Sequence, residues 1–213
     1  TRELAPGSQP TTWPAGAWIA GRASLSVPPS TPPGDYTLSL TLRDPASGAS
    51  PGARTLDHLV RVQERKRVWE LPEMQQEVGA RFGELPSGAI ELAGYDLTQE
   101  KKALRLTLHW RALDVPDRHY KFFVHLADPA TGRPVTQVDG MPREFAYPTG
   151  MWASGEVVSD EVVLSLEGVP AGEYELAVGW YDPETKQRLP AADKEGVALP
   201  DDRLILPQEI TLR

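Results

Sequence analysis

Apolar and polar residues alternate in short runs along most of this chain. Between residues 104 and 110, Leu104, Leu106, Leu108 and Trp110 fall on one face, and Arg105, Thr107 and His109 on the other. Period two marks a strand with one buried face. Phe122, Val124 and Leu126 alternate in the same way within 120–126. Further strands are predicted over 89–97, 134–138, 161–166, 174–181 and 204–212. Helix signals are scarce. The best lies at 71–78, where Pro72 suits a first helical position and Glu73 follows it, but Gly79 and Gly83 allow about two turns at most.

Turn chemistry separates these runs. Three strands run into Asp-Pro, at Asp44-Pro45, Asp128-Pro129 and Asp182-Pro183. The Asp side chain can bond the backbone ahead of it, and Pro presets φ at the second turn position. Gly48 and Gly132 then suit a left-handed residue that closes a hairpin. Lys186 holds that place in the third turn, so some strain is expected there. The pattern predicts an all-β fold: an antiparallel sandwich of immunoglobulin-like or jelly-roll type, with about seven strands or more.

The chain also repeats itself. Trp13-Pro-Ala-Gly-Ala-Trp18 matches Tyr147-Pro-Thr-Gly-Met-Trp152, and Gly21 matches Gly155. Gly34-Asp-Tyr36 then matches Gly172-Glu-Tyr174, and Asp44-Pro45 matches Asp182-Pro183. Matches in this order, with one change in loop length, point to duplication. The copies are unequal. The expectation is a partial repeat over 1–65, the last strands of a preceding copy, then a linker at 66–79 that could carry the short helix. A complete sandwich should fill 80–213. A remnant of few strands buries little, so it should pack on the sandwich or associate with another copy.

Pro-x-Gly-x-Trp reads as a turn that delivers an indole. A corner that recurs in each copy is better explained by architecture than by an exposed sugar platform. The Gly-Asp/Glu-Tyr motif is similar: the Tyr opens a strand, and its hydroxyl can tie back to the chain as a corner.

The 213 residues carry a net charge of −8 and no cysteine. Acidity argues against nucleic acid as a partner. The missing Cys excludes disulfides, thiol catalysis and thiolate metal sites. The one basic cluster, Arg61, Arg65, Lys66 and Arg67, reads as a solvated linker edge rather than a phosphate or headgroup patch. No segment reaches the ~18 apolar residues of a membrane span, so any anchor would lie in a part of the parent chain outside this sequence.

Catalytic signatures are thin. There is no G-x-S-x-G, no phosphate loop and no metal-binding His spacing among His58, His109, His119 and His125. His109 and His125 could face each other on neighbouring strands. Asp139, Glu144, Glu156 and Asp160 could supply the carboxylate pair of a carbohydrate-active hydrolase, the alternative reading. The acid-rich loops 182–184 and 193–202 could hold calcium, though neither has a recognised calcium motif, so no cofactor is expected. Loops at a sandwich end carry binding. The candidate ligand site is therefore Asp139, Arg143, Tyr147 and Trp152, with His119 and Tyr120 nearby, and no catalytic residue.

Several strings together carry a resemblance: 90–97, 104–112, 120–126, Val138-Asp-Gly140, Tyr147-Pro-Thr149, Trp152, Gly155-Glu-Val157 and 172–183. In this order they resemble the β-sandwich module that follows the membrane part of bacterial protein-mannosyltransferase-type glycosyltransferases, and related surface proteins of Chloroflexus-like bacteria. The likeness covers 80–213 and, as a partial copy, 13–62. It implies an extracytoplasmic appendage of a larger bacterial protein, location more than activity; with the duplication and the absent catalytic motifs, the expected role is a non-catalytic accessory module for interaction or spacing. Its partner would be a glycan or another protein domain. It carries no assigned catalytic residues.

Overall fold

The computed structural model describes residues 14–16, 25, 27–41, 43–44, 47–50, 52–84 and 89–213. Trp13 and Trp18 of the first aromatic motif, and Gly21 after it, lie outside them. The fold is an all-β antiparallel sandwich. The described strands are β1 (Gly34–Thr41), β2 (Ala53–Val62), β3 (Gln76–Phe82), β4 (Ile90–Gln99), β5 (Ala103–Ala112), β6 (Lys121–Ala127), β7 (Pro134–Gly140), β8 (Val157–Ser165), β9 (Gly172–Tyr181), β10 (Ala191–Ala192), β11 (Leu204–Ile205) and β12 (Ile210–Leu212). One sheet runs in the order β10-β3-β4-β5-β8. The other runs β11-β9-β6-β7, with β12 also paired to β9. β1 and β2 form a separate hairpin.

The alternation read from the sequence is what closes the sandwich. Leu104, Leu106, Leu108 and Trp110 of β5 face inward against Phe122, Val124 and Leu126 of β6 and Leu176, Val178 and Trp180 of β9. Trp180 is the centre of the core. Its ring lies 4.8 Å from Trp110, 5.7 Å from Phe122 and 6.0 Å from Trp152, each edge to face. Such contacts add about 1 kcal/mol beyond burial itself.

Residues 71–78 are not helical. The chain runs extended there and enters β3 at Gln76, inside the span expected to be linker. Long-range bonds override the helix-start signal. The Gln75 N–H donates to Asp96 Oδ1 at 2.8 Å, and its side-chain Oε1 accepts from the Leu97 N–H at 3.0 Å. The run 204–212 is not one strand but two short ones, β11 and β12, both on β9.

The duplication is visible as register. In the hairpin, Gly34 pairs with Val62, Tyr36 with Val60 and Leu40 with Arg54. At the matching places, Gly172 pairs with Leu212, Tyr174 with Ile210 and Val178 with Leu204. Both motif tyrosines tie back four residues: Tyr36 Oη donates to Pro32 O at 2.7 Å, and Tyr174 Oη to Pro170 O at 3.0 Å. This is the tyrosine corner that the Gly-Asp/Glu-Tyr string predicts.

The three Asp-Pro turns share one closing bond at their described residues. Gly48, Gly132 and Lys186 each donate an N–H to the carbonyl of the turn Asp at 2.8 Å. Their φ angles are 70°, 64° and 64°. A Cβ costs about 1–2 kcal/mol in this left-handed region, and glycine avoids it. Lys186→Gly should therefore raise the chemical-denaturation midpoint, by about 1 kcal/mol of stability. A variant no more stable than the parent contradicts a strained turn.

Candidate functional site

The loop from β7 to β8 crosses from one sheet to the other and carries the second aromatic motif. Pro148 precedes a single 3-10 turn at Thr149–Met151, after which Trp152 is extended. The turn swings the indole back under its own loop. Trp152 Nε1 donates to Tyr147 O at 3.0 Å, and the ring is fully buried. Thr149 is buried too. Its hydroxyl donates to Arg118 O at 2.8 Å and accepts from the Tyr120 N–H at 2.9 Å. Gly150 is needed for close approach, since a Cβ there would lie 2.8 Å from the His119 ring.

Tyr147 and Glu156 form the base of this loop. Tyr147 Oη donates to Glu156 Oε1 at 2.6 Å. Burial, and then that carboxylate, push the phenol up to about 12. Glu156 Oε2 accepts from the Ala153 N–H at 2.9 Å and pairs with Arg67 Nη1. Arg67 also donates to Tyr147 Oη at 2.8 Å, to Met151 O at 3.2 Å and, through Nη2, to Pro29 O at 3.3 Å. One guanidinium thus joins the sandwich loop to the chain ahead of the hairpin. Arg65 lies over the Tyr147 ring at 4.3 Å and Arg143 at 5.3 Å. Val157 N donates to Val68 O at 2.8 Å beside them.

Within the basic cluster Arg61, Arg65 and Lys66 are exposed, as a solvated edge requires, and Arg67 alone departs from that reading. Arg67 is engaged with Glu156, Arg65 with Tyr147 and Arg61 with Asp35 at 2.8 Å. The sequence hid this role, because the sandwich partners of Arg67, Tyr147 and Glu156, lie 80 or more residues away.

The other predicted site residues divide. Trp152 and Tyr147 are core residues and offer no ring face to a sugar. Tyr120 is half-buried, with Oη donating to Asp117 Oδ1 at 2.6 Å; burial and this bond push its phenol up to about 12. His119 is exposed and backs onto Gly150. Of the six candidate ligand residues, Asp139 and Arg143 alone line a common cleft, of about 530 Å3, between the β7 and β8 edges, and the candidate acids Glu144 and Asp160 line it too. Phe145, an exposed ring that the sequence reading missed, also lines it. Arg143, Glu144 and Phe145 hold φ of 49°, 51° and 70° in succession. Nothing in their residue types announces so many left-handed positions.

Of the four acids considered for a hydrolase, Glu156 is committed to Arg67 and Tyr147, and Asp160 faces the core. Asp160 Oδ1 accepts from the Arg143 N–H, while Oδ2 is buried without a partner. The Trp110 indole N–H favours the charged form weakly yet makes no hydrogen bond itself. Burial dominates and raises the Asp160 carboxyl to about 6.

His109 and His125 do not face each other, because β5 and β6 belong to different sheets. His125 lies against Phe123 at 4.5 Å. His109 instead bridges three strands of its own sheet, with Nε2 2.9 Å from Asp96 Oδ2 and Nδ1 2.9 Å from Ser159 Oγ. This Asp–His–Ser connectivity arises from direct strand neighbours, with Ser159 opposite His109 inside the β5–β8 ladder. It ties β4, β5 and β8 together across the sheet.

Among the described residues no group of three His, Asp or Glu is placed to hold a metal. In the loops considered for calcium, acids cap turns. Asp182 Oδ1 accepts from the Glu184 N–H, and Asp193 Oδ1 from the Val197 N–H, both at 2.8 Å. Comparison with known proteins finds no matching family model, no matching curated protein and no matching solved structure.

Asp160 gives a pH test. Its folded carboxyl keeps its proton to about pH 6, against an ordinary value of 3.8. The folded chain thus binds more protons than the unfolded chain between those values, and stability falls as pH rises through that window. Asp160→Asn should be more stable than the parent at pH 7.5, by on the order of 2 kcal/mol. That advantage should shrink toward zero near pH 4. Equal stability at pH 7.5, by urea denaturation, contradicts a buried, penalised charge.

Proposed function

We propose that this chain is a non-catalytic module of tandem sandwich elements, used to space and orient what it is attached to and to present surface for interaction. The observation that carries this reading is the Arg67 junction. Loops at the end of a sandwich are free to bind in many modules. Here the β7–β8 loop spends its Tyr, its Glu and its main-chain carbonyl at Met151 on the segment that leads in from the hairpin. A contact that combines a buried charge pair with hydrogen bonds favours one relative orientation, which suits a spacer.

The resemblance to modules appended to membrane glycosyltransferases supports an extracytoplasmic place on a larger, membrane-anchored bacterial protein. The tyrosine corner supports an immunoglobulin-like variant of the sandwich. A glycan partner loses two of its candidate contacts, since Tyr147 and Trp152 are core residues. Asp139, Arg143 and Phe145 around the cleft are what remains for it.

Small-angle scattering tests the spacer reading. Arg67→Ala should increase the radius of gyration and the maximum dimension, as the hairpin swings free, while far-ultraviolet dichroism keeps the β-sheet signature of a folded sandwich. Scattering identical to that of the parent would sink the reading.

A further inference from the structure

On one side of the sandwich two strand edges meet, since β8 ends one sheet and β7 ends the other. The cleft between them, of about 530 Å3, is lined only by residues of the sandwich, from Phe122 to Val163. Small-ligand sites measure about 300–1,000 Å3. The wall of this one is unbalanced in charge. Asp139, Glu144, Asp160 and Glu161 line it, against Arg143 alone. The Arg143 guanidinium is drawn aside, 5.3 Å from the centre of the Tyr147 ring. Among the described residues no salt bridge takes up any of the four acids.

One of these acids is not a surface charge. Asp160 is 4% exposed, and its Oδ2 is buried without a hydrogen-bond partner, while Oδ1 accepts from the Arg143 N–H. A buried acceptor without a donor is costly, most of all when it is charged. Burial raises this carboxyl to about 6, so near neutral pH it carries a charge that its surroundings disfavour. The rest of the wall is apolar. Val138 and Val162 line it, and Phe145 stands at it with 58% of its surface exposed. The Phe145 ring already takes one ammonium, the Lys121 Nζ at 5.2 Å. Left-handed backbone from Arg143 to Phe145 holds the ring there. Such strain persists at ligand clamps, where the surroundings enforce it.

We infer that this cleft binds a primary ammonium carried on an unbranched alkyl stem, such as a lysine side chain or a free alkylamine. Asp160 supplies the deep acceptor. Asp139, Glu144 and Glu161 are exposed and supply a negative mouth. The stem packs against Val138, Val162 and Phe145. An ammonium brings three donors and a charge, which is what an unsatisfied buried carboxylate lacks. A metal ion fits less well, since among the described residues no three acids are grouped as its ligands would be. A neutral sugar would give the lone acceptor a donor but leave its charge uncompensated. This inference goes beyond the spacer reading and is independent of the Arg67 junction.

The test titrates butylammonium chloride into the isotope-labelled full chain at pH 7.5 and follows the backbone amide shifts. Saturable shifts centred on 138–145 and 159–163, the two walls of the cleft, support the inference. Butanol, the same stem without the charge, should bind at least tenfold more weakly. So should butylammonium to Asp160→Asn, which keeps the shape and loses the charge. Nα-acetyl-lysine amide then names the source. Tighter binding than butylammonium assigns the site to a lysine of a partner protein, and equal or weaker binding to a free amine; either supports an ammonium site. Absence of saturable shifts overturns the inference, as do shifts that sodium chloride reproduces. So does equal binding of butanol, equal binding to Asp160→Asn, or tighter binding of methyl glucoside, which would make the cleft a sugar site. If Asp160→Asn does not fold, the butanol comparison decides.

Discussion

The Glu156 carboxylate is almost wholly buried, and the whole end of the sandwich is arranged around satisfying it. A buried charge is tolerated only with a partner and a full set of hydrogen bonds. Arg67 supplies the partner, and Tyr147 Oη and the Ala153 N–H supply the bonds. These ties hold both ends of the loop that carries Trp152. With its ends fixed, the 3-10 turn has one way to place the indole, against Trp180. Trp180 in turn joins Trp110 of the facing sheet to Phe122 of its own. A chain of contacts thus runs from one surface-derived arginine to the centre of the core.

The same chain of contacts reaches past the sandwich into the segment that precedes it. A sandwich needs its open end plugged, and this one is plugged partly by residues that belong to the preceding segment. Arg67 reaches Pro29 as well as Glu156, so the junction and the core share one polar cluster. That sharing is what the proposed spacer role rests on. It also explains why aromatic residues that looked available for a sugar are not. Their rings complete the core, and their polar atoms complete the joint.

Much of the fold was legible because its signals are local. Period-two alternation located β5 and β6, the Asp-Pro strings located three turns with one closing bond, and the Gly-Asp/Glu-Tyr string gave the tyrosine corner in both copies. The misreadings share a cause in distance. β3 was hidden because Pro72 and Glu73 imitate a helix start, while the bonds that hold the segment extended come from Asp96 and Leu97 on another strand. Arg67 looked like one of several solvated charges because its acid is far along the chain. For the candidate site, the loop was located and the roles within it were not. Which of Arg143 and Tyr147 turns inward is not written in their residue types, since a three-residue left-handed run at 143–145 lies between the strand and Tyr147.

The most direct measurement is a double-mutant cycle on the junction, with Arg67→Met, Glu156→Gln and the pair, each followed by urea denaturation at pH 7.5. If the buried ion pair organises the loop, either single change leaves a stranded partner. The double change then costs less than the sum, with a coupling energy of about 2 kcal/mol or more. Single effects that add to within about 0.5 kcal/mol would contradict the account.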